Sequence, residues 1–404
     1  MQSTIEVKSK LLVIPHIYAE NIRIRDIEFA RRMVDYFDVY CLKWEDALNV
    51  NNPHLLRRKW KQFSTAVRGL VKRVSVSSAN SGVRLVEIPL LQAIILRRVV
   101  GDKKAALISR RVNTRWLEKL IAQLGITHLL LASSHFDLPA TRNGVRMFVD
   151  LVDWFPEETR SAAEMKSVQT YMSRFRDRAD GVFVVSEPLA DKLKADYSMN
   201  CIPIPNGADI KALRSVRASE IESVRDRWGL RGKYVIGNIG NHGSFTGLDF
   251  AVQMHNVVLR RIPNAVLFVV GPADYWIPKL GPQPPSVIFT GQVPPTEISA
   301  YFQALDLGIL PKDVSLGTDF AFQLKVVEYT ACRKFVVSSP LLVWKRLKWP
   351  NVRLVDRDVD AWANAICELK DAKWQTEWDS LVGVYDWGTL ARMMAVTMLG
   401  HSRG

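Results

Sequence analysis

Short apolar runs alternate with longer stretches of helical period along almost the whole chain, and this alternation limits the possible fold more than any other feature. Strand-like runs fall near 11–15, 37–42, 83–88, 127–132, 145–150 and 181–185, separated by helix-like stretches near 24–36, 52–73, 111–124, 162–178 and 187–196. A second series places strands near 233–238, 265–270, 287–290, 306–310, 334–338 and 352–355, with helices near 247–260, 295–304, 323–332 and 358–370. A strand buried on both faces reads as a continuous apolar run, and an intervening helix lets the next strand return in parallel. The pattern predicts an α/β chain of two Rossmann-like domains. Cys201-Ile202-Pro203-Ile204-Pro205-Asn206-Gly207 closes the first series with Pro and Asn-Gly turn signals. The expected division is a first domain over 1–205, a linker over 206–232 and a second domain over 233–375. A C-terminal helix over 376–404, with apolar repeats at Leu390, Met393, Met394 and Met398, is expected to return to the first domain.

Size and composition allow this plan: of 404 residues, 48% are hydrophobic and 24% charged, enough apolar material for two ordinary cores. Cys41, Cys201, Cys332 and Cys367 are scattered with no CxxC or Cys/His cluster, so no structural metal is expected. The polar start MQSTIEVKSK leads straight into the first strand, and the most apolar short run, 90–96, is far shorter than the roughly 20 residues of a membrane span. These features suggest a cytoplasmic location. A formal net charge of +14 calls for an anionic partner.

The residues that carry chemistry gather in the second series. From Tyr234 to Asp249 a strand pattern passes through a glycine-rich turn into a helix, and the free N–H groups and dipole of a helix start suit a phosphate. Gly237, Gly240 and Gly243 are spaced GxxGxxG, unlike the GxGxxG of dinucleotide folds, and no acidic residue sits about 20 positions on to hold a ribose. The plainer reading is a tight turn. Lys325 and Glu328 lie three apart on one helix face, where the lysine can neutralise a diphosphate and the carboxylate can accept from sugar or ribose hydroxyls. An ordinary surface ion pair is the alternative.

Four landmarks in register resemble the GT-B glycosyltransferases of the family 4 kind: Asn206-Gly207-Ala208-Asp209, the glycine turn before Thr246-Gly247-Leu248, Thr290-Gly291-Gln292-Val293-Pro294, and Leu324-Lys325-Val326-Val327-Glu328-Tyr329. The resemblance implies that Gly291, Gln292 and Val293 contact the nucleotide base, that Gly240, Asn241 and Gly243 face the diphosphate, and that Glu328 holds ribose hydroxyls. It implies a UDP- or GDP-linked sugar as substrate, with no cofactor and no metal. Two departures stand out. Asn241 and Thr246 occupy the places of the family's arginine and lysine clamp, and Phe320 replaces its first glutamate, with Asp319 adjacent. Lys325 then becomes the main cation for the diphosphate, an arrangement similar to the gum-type exopolysaccharide glucuronosyltransferases.

In the first series, Val149-Asp150-Leu151-Val152-Asp153-Trp154-Phe155-Pro156 ends a strand, where ligands of open α/β sheets bind. Asp153 is the candidate general base for an acceptor hydroxyl, with helix capping as its plain reading and Asp150 as its competitor. His135 also follows a strand and is a candidate contact to acceptor or sugar; Arg23 and Arg25, in the first strand-to-helix junction, either steer an anionic acceptor or are merely solvated. The stretch 52–73 sets Leu56, Trp60, Phe63, Val67 and Leu70 against Arg57, Arg58, Lys61, Arg68 and Lys72, a basic amphipathic pattern. It reads either as a core helix with a solvated basic face or as a contact with anionic lipid at the inner face of the plasma membrane. The expected activity is transfer of a sugar to a glycan or polyprenyl-diphosphate-linked acceptor in surface or exopolysaccharide synthesis. Alternatives are a GT-B-like nucleotide-sugar epimerase and a non-catalytic nucleotide- or anion-binding protein. No nucleic-acid partner is expected.

Overall fold

The computed structural model describes residues 8–16, 24–43, 75–78, 81–87, 90–91, 100–140, 144–152 and 162–400. The stretch 52–73, most of the run 90–96, Arg23 and Asp153 lie outside them.

The first sheet has eight strands: β1 (Lys10–Ile14), β2 (Asp38–Lys43), β3 (Ser75–Ser78), β4 (Arg84–Glu87), β5 (His128–Leu131), β6 (Arg146–Leu151), β7 (Gly181–Val184) and β8 (Ile202–Pro203). Their order is β3-β4-β2-β1-β5-β6-β7-β8. All neighbours are parallel except the edge pair β3 and β4. The second sheet holds β9 (Tyr234–Ile239), β10 (Ala265–Val270), β11 (Val287–Phe289), β12 (Leu307–Leu310), β13 (Phe335–Ser338) and β14 (Val352–Leu354). These six run parallel in the order β11-β10-β9-β12-β13-β14. The order reverses direction between β1 and β5 and again between β9 and β12, and open α/β sheets form ligand crevices outside the C-terminal ends of such strands.

Every residue of β9 and β10 is buried, as a strand covered by helices on both faces requires. One face of the second sheet packs on the helices Leu248–Leu259 and Val359–Leu369, where Phe250 meets Trp362 edge-on at 5.3 Å. One face of the first sheet packs on the helix Arg25–Arg32 and on the C-terminal helix Trp387–Gly400, which buries Trp387, Leu390, Met394 and Met398 there. Trp387 meets Phe29 edge-on at 5.2 Å. Backbone bonds tie the returning segment to the crossing point: Ala208 N donates to Tyr385 O, and Trp387 N donates to Ala208 O.

Three stretches differ from the sequence reading. Residues 206–232, expected as a linker without core strands, fold into the helices Ile210–Arg214 and Ala218–Arg227, which pack on Ile298–Gln303 and Leu324–Ala331. Leu213 and Val224 are buried there, and because the segment offers only these sparse apolar anchors, a search for core strands passes over it. The helix Asp102–Leu124 begins nine residues before the expected 111. The tail is broken into two 3-10 turns, Thr376–Ser380 and Gly383–Tyr385, ahead of its helix. Trp374 and Trp378 leave the returning path there to pack against Phe335.

Candidate functional site

Three loops at the C-terminal ends of β9, β10 and β11 meet through their backbones. Gly240 N donates to Val270 O at 2.9 Å, His242 N to Pro272 O at 2.9 Å, and Gly271 N to Gly291 O at 3.0 Å. Gly271, which sequence reasoning passed over, makes the meeting possible. It holds φ +118°, and a Cβ there would lie 1.9 Å from the Gly240 carbonyl oxygen, so no side chain can be accommodated. Its signal was available in Val270-Gly271-Pro272, a strand ending in a turn pair, but a strand-end glycine alone does not distinguish a contact from a turn.

The helix Leu324–Ala331 delivers the charged pair to the same rim. Tyr329 accepts from Ile239 N at 2.9 Å and donates to Gly237 O at 3.2 Å, which pins the helix to the end of β9. Lys325 and Glu328 are thereby fixed beside the glycine turn: a Cβ on Gly240 would sit 3.7 Å from Lys325 Cε. Lys325 Nζ donates to Glu328 Oε2 at 2.7 Å, with the lysine side chain 30% exposed and the glutamate 8%. A pair this unequally exposed is not an ordinary surface bridge, because the carboxylate has given up its water and the ammonium has not. Lys312, just beyond β12, adds a second cation: it stands 4.6 Å over the Phe245 ring. Buried His242, inside the glycine turn, has its imidazole pushed down to about 4 by burial and, further, by the charges of Lys312 and Lys325. It stays neutral there while the two lysines carry the positive charge.

The structure thus brings together Gly240, Gly243, Gly291, Lys325 and Glu328. Asn241 and Gln292 are exposed at the same loops, and Val293 is half-buried against the core. Thr246 is buried beneath the turn: its hydroxyl donates to Gly243 O, and Trp276 Nε1 also donates to that carbonyl at 2.7 Å.

The first domain's strand ends are organised by charge. Arg25 is buried, and its guanidinium donates to both Asp150 oxygens, at 2.8 and 3.1 Å, to Pro205 O at 2.8 Å and to Asn206 Oδ1 at 3.3 Å. This corrects both readings of Arg25, which is neither solvated nor available to steer an acceptor: its donors are used inside the protein. Burial pushes the Asp150 carboxyl above its usual range, and the Arg25 charge pulls it back. Asn206 Nδ2 donates in turn to Phe322 O at 3.1 Å, and Ser186 Oγ to Phe320 O at 2.6 Å. The segment that leads into the Lys325 helix is therefore fastened by side chains that follow β7 and β8.

His16, absent from the sequence candidates, sits where β1 opens toward its helix. Its Nδ1 lies 2.5 Å from Asp26 Oδ2, the backbone N of His16 donates to the same oxygen at 2.9 Å, and the imidazole is 33% exposed. Asp26 is 1% exposed, and its Oδ1 has no hydrogen-bond partner among the described residues. A partly exposed ring oriented by a buried carboxylate is a candidate proton acceptor. His135 is exposed on the loop after β5, where its backbone accepts from Asn113 Nδ2 and its N–H donates to Ser133 Oγ. Arg23 and Asp153 lie outside the described residues. Among the described residues no group of three or more His, Cys, Asp or Glu could hold a metal, and no helix is long and apolar enough to cross a membrane.

Residues 233–371 match the family model of glycosyl transferases group 1. A protein of Bacillus subtilis (strain 168), provisionally named as the teichuronic acid biosynthesis glycosyltransferase TuaH, is 26% identical over 211 residues, covering 50% of this chain and 49% of its own. The chain thus spans about half the length of that curated relative. Among solved structures, sucrose-phosphate synthase from Thermosynechococcus elongatus is similar with a TM-score of 0.67 at 16% identity, covering 96% of this chain and 97% of its own. Anabaena HepE in complex with UDP gives 0.62 at 15% identity, covering 97% and 100%. An E. coli trehalose-6-phosphate protein bound with UDP-2-fluoro glucose gives 0.69 at 12% identity, covering 96% and 99%. The chain has the GT-B fold, and its residues 233–371 are similar to the glycosyl transferases group 1.

Proposed function

We propose that the protein is a glycosyltransferase that moves a sugar from a nucleotide-linked donor to a glycan or lipid-linked glycan acceptor. The observation that carries this reading is the convergence of the glycine turn, Gly291, Lys325 and Glu328 at the rim of the second sheet, within the domain that the family model matches. Two neighbours of the same fold hold UDP or a UDP-sugar, which supports a uridine donor. A role in surface or exopolysaccharide synthesis draws support from the teichuronic acid relative.

In the reaction the acceptor oxygen bonds to the anomeric carbon as the bond from that carbon to the donor phosphate breaks. The acceptor proton passes to a base, and negative charge develops on the departing diphosphate. Turn amides and Lys325 would stabilise that charge, an arrangement worth most where water is excluded. Engaging the phosphate would draw Lys325 from Glu328, leaving the carboxylate to accept from ribose hydroxyls. Asp153, two residues past the end of β6, remains the expected base. His16, held by Asp26, is a second proton acceptor at the first sheet's rim.

Thermal denaturation against a panel of nucleotides tests the donor site. Stabilisation by a nucleoside diphosphate, lost in Lys325→Ala and Glu328→Ala, is expected; no shift with any nucleotide would overturn the proposal. Turnover in Asp153→Asn and His16→Ala assigns the base, since the true base loses activity most at the pH where it must be deprotonated.

A further inference from the structure

Between the helices Asp102–Leu124 and Ala162–Arg178 the first domain forms an open cavity of about 320 Å³ whose lining includes Arg111, Arg115, Arg174 and Arg178. It does not belong to the cleft. Its floor is the segment 137–140, which leads back from the end of β5 toward the start of β6 and so away from the strand ends where the donor and acceptor groups gather. The walls are built by specific bonds: Asp137 N donates to Thr114 Oγ1 at 2.8 Å, Ala140 N to Glu118 Oε1 at 2.8 Å, and Arg178 to Pro139 O.

The acidic groups present have partners of their own, although Asp137 Oδ1 accepts no hydrogen bond among the described residues. Glu118 holds Ala140 N, and Asp137 is approached by Arg110 at 3.7 Å and by Arg174 at 3.9 Å. Arg111 and Arg115, one turn apart on the same helix, have no hydrogen bond or ion pair among the described residues. Like charges at that spacing repel, and two further guanidiniums across the cavity add to the repulsion. Guanidinium forks match the oxygens of phosphate, which offers several strong acceptors and up to two charges.

We propose that this cavity binds a phosphate-bearing anion at a site separate from the nucleotide-sugar site, with Arg111 and Arg115 as its principal ligands. The anion neutralises the converging guanidiniums and bridges the two helices. Its phosphate belongs either to a soluble phosphate ester or to a lipid headgroup.

Calorimetric titration of the full chain with pyrophosphate tests the site, in a Lys325→Ala background so that the donor site contributes little. The double substitution Arg111→Ala, Arg115→Ala is expected to weaken binding at least about tenfold, and the corresponding double lysine variant to fall between. Equal affinity in the parent and the double alanine variant would overturn the proposal, provided that both unfold at the same temperature. Both side chains are exposed, so their removal is expected to leave the fold intact. Flotation on phosphatidylglycerol and phosphatidylcholine vesicles separates the sources. If the double alanine variant also floats less on the anionic vesicles, and pyrophosphate competes with them, the group is a lipid headgroup. If flotation is unchanged while pyrophosphate affinity falls, it is a soluble ester. Reduced flotation with unchanged pyrophosphate affinity would mean that the arginines act only as surface charge, and would also overturn the site.

Discussion

The two rims of strand ends are built on opposite plans. In the second domain, backbone does most of the work: three loops bonded through Gly240, Gly271 and Gly291 leave a surface of turns and amides, with Lys325 half-exposed beside it. In the first domain, side-chain charge does it: Arg25 and Asp150 are both buried and use each other, with Asp26 and His16 alongside. The difference teaches where each rim can change. A backbone cradle keeps its shape when exposed side chains around it vary, so the uncharged Asn241 and Thr246 do not by themselves remove the proposed site. A buried ion pair does not tolerate the loss of either member, because the survivor is left charged without water or partner.

The sharpest way to break the comparison is to remove one member of the buried pair. Asp150→Ala is expected to cost about 3–5 kcal/mol of stability, read from urea denaturation, while the paired replacement Arg25→Met with Asp150→Leu recovers most of it. Nucleoside diphosphate affinity, measured well below the unfolding midpoint, is expected to stay within about twofold, since the proposed donor rim stands on the other sheet. A large affinity loss would show that the two rims are one unit, joined through Asn206 and Phe322.

Next in size is Lys325→Ala, expected to lower kcat/KM for sugar transfer about 100-fold with little change in stability, as for loss of one preorganised donor to a developing charge. Steady-state kinetics with a nucleotide sugar decide it, and a smaller effect than that of Lys312→Ala would move the main cation to Lys312.

Acid is expected to weaken both domains through buried histidines. Burial pushes His128, in the first sheet, and His242 and His255, in the second domain, down to about 4. In the folded state they stay neutral until near that pH, whereas in the unfolded chain they take up protons from about 6.5 downward. Stability is therefore full above about pH 6.5 and drains as pH falls toward 4, by at most about 1.4 kcal/mol per pH unit for each histidine. Two of the three lie in the second domain, so urea midpoints followed by probes in each domain are expected to fall more steeply there; a flat profile over this range would refute the argument.

The smallest effect expected is a gain. Asn241→Arg restores a guanidinium to the glycine turn and is expected to tighten nucleoside diphosphate binding by about fivefold, near 1 kcal/mol for an exposed charge. Unchanged affinity would mean that the turn directs position 241 away from the ligand.

Much of this was legible before any coordinates. Strand-like runs in both halves fall within a residue or two of the observed strands, because a strand buried on both faces must be apolar throughout, and that constraint is written locally. The glycine turn and the Lys325–Glu328 spacing were legible for the same reason: turn geometry and helix faces are properties of neighbouring residues. The helices within 206–232 were not legible because their packing on the helices Ile298–Gln303 and Leu324–Ala331 rests on partners about 70 or more positions away. Edge strand β3 was missed because Ser75–Ser78 carries one apolar residue and is a strand only through its pairing with β4.

By itself, the sequence determined the α/β class, the two series of parallel strands and the loops that end them, since hydrophobic period and turn chemistry are set within a few residues. Only the tertiary structure decided which loops meet. It set Gly271 against the Gly240 carbonyl, turned Arg25 inward onto Asp150 across 125 positions, paired His16 with Asp26, and gathered arginines from two helices around one cavity. Such pairings depend on close packing and on the cost of burying charge, both of which act between atoms near in space, whatever their distance along the chain.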